Sequence, residues 1–343
     1  MNKIASDQRV HPRIRRIMGA MPAPTSPTFE NREQLMSVVT TEKSIAAAAA
    51  SDALLDGLDS PELAPLEGLD ISTIEFTSSP DGNTIKMLMI RPEGAGTVPC
   101  VVYLHGGGMM TMSCFLGMYQ CWGRMIAHHG VAVAMVDFRN ALRPSSAPEV
   151  EPFPAGLNDC VSGVKHVAAN ATDLGIDPAR IIVAGESGGG NLTLATGMKL
   201  LADGDIDLIN GLYAMCPYIA GEWPQERFPS SIENNGIFLD LRGNTGQVAY
   251  GTEHFEQENP LAWPSFATES DVQGLPTTVI SVNECDPLRD EGIEFYRFLN
   301  DAGVPARCRQ VMGTVHGSEI FSVSCPDVAD ETAASIAHLA TKG

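Results

Sequence analysis

The chain has 343 residues, 44% of them apolar and 19% charged, the make-up of a folded globular protein with a sizeable core. Its 22 basic residues stand against 42 acidic ones, a formal net charge of −20, which argues against nucleic acid or anionic membrane as a partner because both require a basic patch. The same charge mildly disfavours anionic substrates, although the potential inside a pocket can differ from the global one, and an acidic surplus is also a trait of salt-adapted surfaces.

In chain order, residues 1–67 carry no strand pattern. They are polar, punctuated by proline between 22 and 27, then alanine-rich and helical by propensity. Arg13, Arg15 and Arg16 precede only a short apolar run that Pro22 breaks, and residues 45–55 are too short to cross a bilayer. The eight cysteines form no C-x-x-C pair and several sit in apolar runs, as expected of free thiols filling a core in a reducing compartment. A cytoplasmic location is the expectation.

From about residue 70 short extended runs alternate with helical ones. Ile71–Thr77 and Thr84–Ile90 flank the turn cluster Pro80-Asp81-Gly82-Asn83 and predict a hairpin. Strands are predicted at Val98–Leu104, Val131–Phe138, Arg180–Ala184, Gly211–Cys216, Thr277–Val282 and Ala306–Val311. Their near-continuous hydrophobicity suggests burial on both faces, as in a parallel sheet. Leu157, Val161, Val164 and Val167 mark one intervening helix, and Phe295, Phe298, Leu299 and Ala302 another that stops at Gly303. The expected fold class is therefore α/β, a mostly parallel central sheet with helices on both faces. Residues 218–265 break the rhythm with prolines, glycines, Trp223 and Trp263. They read as an insertion that, with segment 1–67, caps the strand ends of a body spanning 68–343.

Gly185-Glu186-Ser187-Gly188-Gly189 lies between a predicted strand and a predicted helix. So tight a turn exposes a serine hydroxyl at the strand ends, and small neighbours let the chain pack there. The Gly188 N–H then faces any developing oxyanion from the helix N-terminus. G-x-S-x-G alone also occurs by chance in strand–helix turns. His105-Gly106-Gly107-Gly108 closes the strand Val98–Leu104 and supplies unobstructed backbone donors: Gly106 and Gly107 are favoured, Gly108 is a further candidate, and His105 is read as a brace. Neither a phosphate-binding nor a dinucleotide-binding glycine pattern occurs. Ser187 needs a base and a buried carboxylate in the order Ser, acid, His. Asp286 follows one late strand and His316 the next, where sites belong. Glu284 is an alternative acid, and Asp290 reads as a helix-start residue. The remaining histidines fall in helices or cap segments.

At these residues the chain resembles the hormone-sensitive-lipase-like branch of the α/β hydrolases. The resemblance rests on His105–Gly108, Gly185–Gly190, Asp286–Gly292 and His316-Gly317, with Pro152–Ala155 and Asn158–Cys160 in support. It implies the α/β-hydrolase fold with a helical cap, a triad of Ser187, Asp286 and His316, and an oxyanion hole drawn from Gly106, Gly107, Gly108 and Gly188. Glu186 stands where many members carry Asp. Met109, Met110 and Met112 read as core packing in preference to pocket lining. The resemblance further implies carboxylesterase chemistry on a small-molecule ester or lactone, short to medium in acyl chain, with no metal or cofactor. A small-molecule receptor, in a branch where such receptors lack the histidine, and an acyltransferase or amidase on the same triad remain open. Monomer and homodimer are both allowed, with Ala306–Val311 as the edge strand that would pair.

Overall fold

The computed structural model describes residues 3–342. Eight strands form one sheet: β1 (Leu69–Thr77), β2 (Thr84–Pro92), β3 (Val98–Leu104), β4 (Ala132–Val136), β5 (Ile176–Glu186), β6 (Gly211–Met215), β7 (Thr277–Asn283) and β8 (Ala306–Val311). Their order is β1-β2-β4-β3-β5-β6-β7-β8. The predicted hairpin is present, paired from Leu69↔Pro92 to Thr77↔Thr84. β2 is antiparallel to both of its neighbours, while β3 to β8 pair in parallel.

The period of two in the strands splits the apolar residues between two cores. On β3, Cys100, Val102 and Leu104 face one layer with the helices Ala155–Ala169, Gly188–Asp203 and Arg289–Asp301. Val101 and Tyr103 face the other, built on Gly117–Ala127 and Pro326–Lys342. β4 and β5 alternate in the same way, and both β3 and β4 are buried throughout. This is the double coverage that a parallel sheet needs. All eight cysteines are unpaired and seven are buried.

Two elements depart from the sequence reading. β8 is half-exposed along its length, not buried on both faces. It has a single neighbour, and Arg307 and Arg309 give it a wet face. β5 begins at Ile176, four residues early, because Ile176 pairs with Val98 ahead of a register shift. Asp177-Pro178 in that stretch looks like a turn in isolation. Among the described residues no helix is long and apolar enough to cross a membrane.

The N-terminal segment is divided between two places. Helix Pro12–Met18 buries Ile14 and Met18 in the same core as Ile320 and Phe321, and the His11 N–H donates to Gly313 O at 2.8 Å. Helix Arg32–Val39 packs on helix Thr245–Tyr250 of the 218–265 stretch. There Asn244 clamps the Phe29 backbone, accepting from its N–H and donating to its carbonyl, each at 2.8 Å.

Candidate active site

Ser187 directly follows β5 and caps the helix Gly188–Asp203, with φ 58° and ψ −117°. Such a dihedral is costly for a residue with a Cβ and survives only where the surroundings enforce it. Here the Ser187 N–H donates to Met215 O at 2.9 Å, while its carbonyl accepts from Tyr218 N and Asn191 N. The glycine on its C-terminal side answers a close approach: a Cβ on Gly188 would lie 2.7 Å from Gly108 N. The elbow and the His105–Gly108 loop therefore meet backbone to backbone.

The three widely separated residues come together. His316 Nε2 lies 2.8 Å from Ser187 Oγ, and His316 Nδ1 lies 2.8 Å from Asp286 Oδ2. Asp286 is fully buried, and its Oδ1 accepts from Leu288 N at 2.9 Å. A serine, an imidazole and a carboxylate in this relay can act as a nucleophile, a base and the group that orients the base. Burial alone would depress the His316 pKa, but the Asp286 carboxylate outweighs it and holds the imidazole well above the ordinary histidine value. The rival acids lie elsewhere. Glu284 accepts from Gly313 N at 2.7 Å. Asp290, in the first turn of helix Arg289–Asp301, accepts from Ser230 N at 2.7 Å.

His105 braces the glycine loop, stacked on Phe138 with centroids 4.1 Å apart. The donor set differs from the sequence reading at one glycine. The Gly106 N–H is held by Glu186 Oε1 at 2.6 Å and Tyr119 Oη at 2.9 Å, so it does not face the serine. The N–H groups of Gly107, Gly108 and Gly188 are bonded to no acceptor among the described residues, and Gly107 and Gly108 line the cavity with Ser187.

Glu186 is the functional residue whose task the sequence did not reveal. Its buried carboxylate gathers the Gly106 N–H, the Tyr119 hydroxyl at 2.6 Å and the Tyr103 hydroxyl. It thus ties the glycine loop to the elbow. Burial pushes its pKa up to about 7 against the pull of the tyrosine hydroxyls. Glu186→Ala is expected to lower kcat by about 100-fold with little change in KM, because misplacing an oxyanion donor costs that much. Glu186→Gln, which keeps an acceptor for Gly106, should stay within about tenfold of wild type, and steady-state kinetics of the pair checks this. A carboxyl whose pKa rises on folding takes up a proton, so its stabilising contribution is full below pH 4.5 and is lost as pH climbs through about 7. Urea titrations at pH 5 and pH 8 should show that decline, shallower in Glu186→Gln. Glu291, also buried and pushed up to about 8, and Glu319, likewise pushed up by burial, add to that slope.

A cavity of about 460 Å³ opens above Ser187. Phe29, Leu35 and Val39 line it from the N-terminal segment, and Phe238, Leu241 and Gly246 from the 218–265 stretch. Met110 and Met112 line it as well, while Met109 alone of the three methionines is buried in the core. Met110 and Met112 thus sit at the core's edge, packed against it and facing the cavity as well. The loop turns at Met109 and Met112, both at positive φ. Phe238 lies over the His316 ring at 6.3 Å and 26°, with Phe321 edge-on to Phe238.

Cys216 is a further neighbour that sequence reasoning missed. Cys216, Asp286 and His316 place ligating atoms within 4.8 Å of one another, the one such group among the described residues. Both His316 nitrogens are already engaged by Asp286 and Ser187, so the cluster is a hydrogen-bonded triad with a thiol beside it. Burial pushes that thiol's pKa up to about 11, which keeps it protonated at neutral pH.

A parallel sheet with covered faces, a strained serine at a strand–helix elbow and a histidine–aspartate pair from the last two strands define a hydrolase of the α/β class. The chain belongs to the alpha/beta hydrolase fold family, whose profile matches residues 101–320. Carboxylesterase NlhH of Mycobacterium tuberculosis is 30% identical over 288 residues, 81% of this chain and 84% of that protein. The structure of esterase Est22 superposes with a TM-score of 0.98 at 59% identity, covering all of both chains. Brefeldin A esterase, described as a bacterial homologue of human hormone-sensitive lipase, superposes at 0.84 with 36% identity, covering 98% of this chain and 94% of that one.

Proposed function

We propose that the protein is a carboxylesterase in which Ser187 is the nucleophile, His316 the general base and acid, and Asp286 the group that orients the imidazole. The observation that carries this reading is the continuous relay from Ser187 Oγ through His316 to Asp286, each link 2.8 Å long. Ser187 Oγ attacks the ester carbonyl as His316 Nε2 takes its proton, and the Gly107, Gly108 and Gly188 N–H groups receive the oxyanion. His316 then protonates the departing alcohol. Water enters, gives its proton to the same nitrogen and releases the acid.

The N-terminal segment and the 218–265 stretch act as a cap that limits the acyl and alcohol groups to the cavity they line. Its mostly apolar walls suit short to medium acyl chains, and Phe238 offers a face to a flat leaving group. Est22 has also been solved with p-nitrophenol, the alcohol of an aryl ester. The engaged histidine favours catalysis over a receptor that lacks it.

The test is turnover of p-nitrophenyl acetate, butyrate and octanoate, together with labelling by a fluorophosphonate. Turnover that favours the shorter chains and a single adduct on Ser187 by peptide mass spectrometry are the expected results. A folded protein that hydrolyses none of the three, or an adduct on another residue, overturns the assignment.

A further inference from the structure

Behind the glycine loop lies a second cavity, about 750 Å³ and larger than the one over Ser187. Helix Glu42–Asp56 forms one wall, Thr73 and Lys86 of the β1–β2 hairpin another, and the 111–116 and 143–146 loops the rest. Thr111 and Met112 line both cavities.

Its charged lining marks it as a place for an anion. Lys86 and Arg143 both line it, and neither makes an ion pair with a carboxylate among the described residues; Arg143 Nη2 only reaches Ser44 O at 3.5 Å. In a chain of net charge −20, two cations in one concavity, against Asp52 in its wall and Glu75 across the hairpin from Lys86, make this spot less acidic than the chain as a whole. The Ser146 hydroxyl packs behind this wall, closed to solvent and without a hydrogen-bond partner. One carboxylate, Asp52, faces the cations from the helix. The remaining lining includes the apolar side chains of Leu55, Phe115 and Leu116. A bare inorganic ion would leave those side chains wet, whereas a carboxylate with a short hydrocarbon tail covers them.

We propose that this cavity binds a small amphiphilic carboxylate and that its occupancy is felt by the catalytic loop. The route is short. The Thr111 N–H and hydroxyl both turn back on Gly107 O, at 3.2 and 3.3 Å, and the Met110 N–H meets the same oxygen at 3.0 Å. A ligand seated against Thr111 bears on the peptide that follows Gly107, whose N–H belongs to Gly108. The ligand has the chemistry of the acid that ester hydrolysis releases. That regulatory meaning rests on the esterase reading, while the binding does not.

The experiment uses full-length Ser187→Ala protein titrated with sodium hexanoate by calorimetry, with hexanol and inorganic phosphate as comparison probes. Hexanoate should bind more tightly than either, and Lys86→Gln with Arg143→Gln should weaken it by about tenfold or more, the loss expected of a charge-assisted contact. Ala48→Phe, which fills the cavity from the helix side, should abolish the same binding without touching a charge. Hexanoate binding unchanged by all three substitutions would place the ligand over Ser187 and overturn the proposal, as would phosphate binding as tightly as hexanoate. In the catalytically intact chain, hexanoate should change kcat for p-nitrophenyl acetate, and the effect should vanish in the double variant. Purely competitive inhibition would overturn the coupling. A chain that turns over no ester would sink the esterase reading, and the calorimetry would still decide the cavity.

Discussion

Ser187→Ala is expected to reduce kcat for p-nitrophenyl butyrate by about ten-thousand- to a million-fold, leaving the cavity able to hold substrate and product. The magnitude follows from what the substitution leaves behind. His316 and Asp286 keep their hydrogen bond, and the Gly107, Gly108 and Gly188 donors keep their places, but no atom remains to form the acyl intermediate. Residual rate then comes from water activated against a positioned carbonyl. Alanine at φ 58° carries the same backbone strain as serine, so the fold should lose little, and thermal unfolding of the variant checks that. A variant that retained a tenth of the wild-type rate would show that the nucleophile is elsewhere and that the elbow serves another purpose. A loss confined to KM would mean that Ser187 binds substrate without reacting with it.

What could be read from the sequence was whatever depends on local pattern. The buried strands β3 and β4 declare themselves by unbroken apolar runs, the hairpin by its turn residues, and the elbow and glycine loop by positions where a side chain cannot fit. Asp286 and His316 were legible because the order of acid and base is set by the strand order. Three things were not. Glu186 stood out only as a residue where many members carry Asp; its role depends on Tyr103 from β3 and Tyr119 from the next helix, which only the folded sheet brings to it. The Gly106 N–H could not be struck from the donor set without knowing that Glu186 holds it. Cys216 ends an apolar run and reads as core, yet the parallel pairing of β6 with β7 delivers it to the triad. Side-chain meetings across strands leave no periodic trace in either segment.

Asp286→Asn should be nearly as damaging as loss of the nucleophile, about ten-thousandfold in kcat. Asparagine matches aspartate in shape, so packing around the fully buried site is preserved. Its amide can donate to His316 Nδ1, and that selects the tautomer with the proton on Nε2, the nitrogen that must accept from Ser187. The same change should move the pH profile. In the wild type the neutral imidazole is the active form and Asp286 raises its pKa above the ordinary value, so kcat/KM should climb with pH through a midpoint above 6.5 and fall away on the acid side. Removing the carboxylate's charge leaves burial as the dominant influence, and burial favours the neutral ring. The acid limb of Asp286→Asn should therefore shift to lower pH even as the plateau collapses. Opposite movements of plateau and midpoint distinguish an orienting carboxylate from a merely structural one, whose loss would lower the plateau and leave the midpoint in place. Were both quantities to stay near wild type, the role would pass to another acid, and Glu319 is the buried carboxylate three residues beyond the histidine.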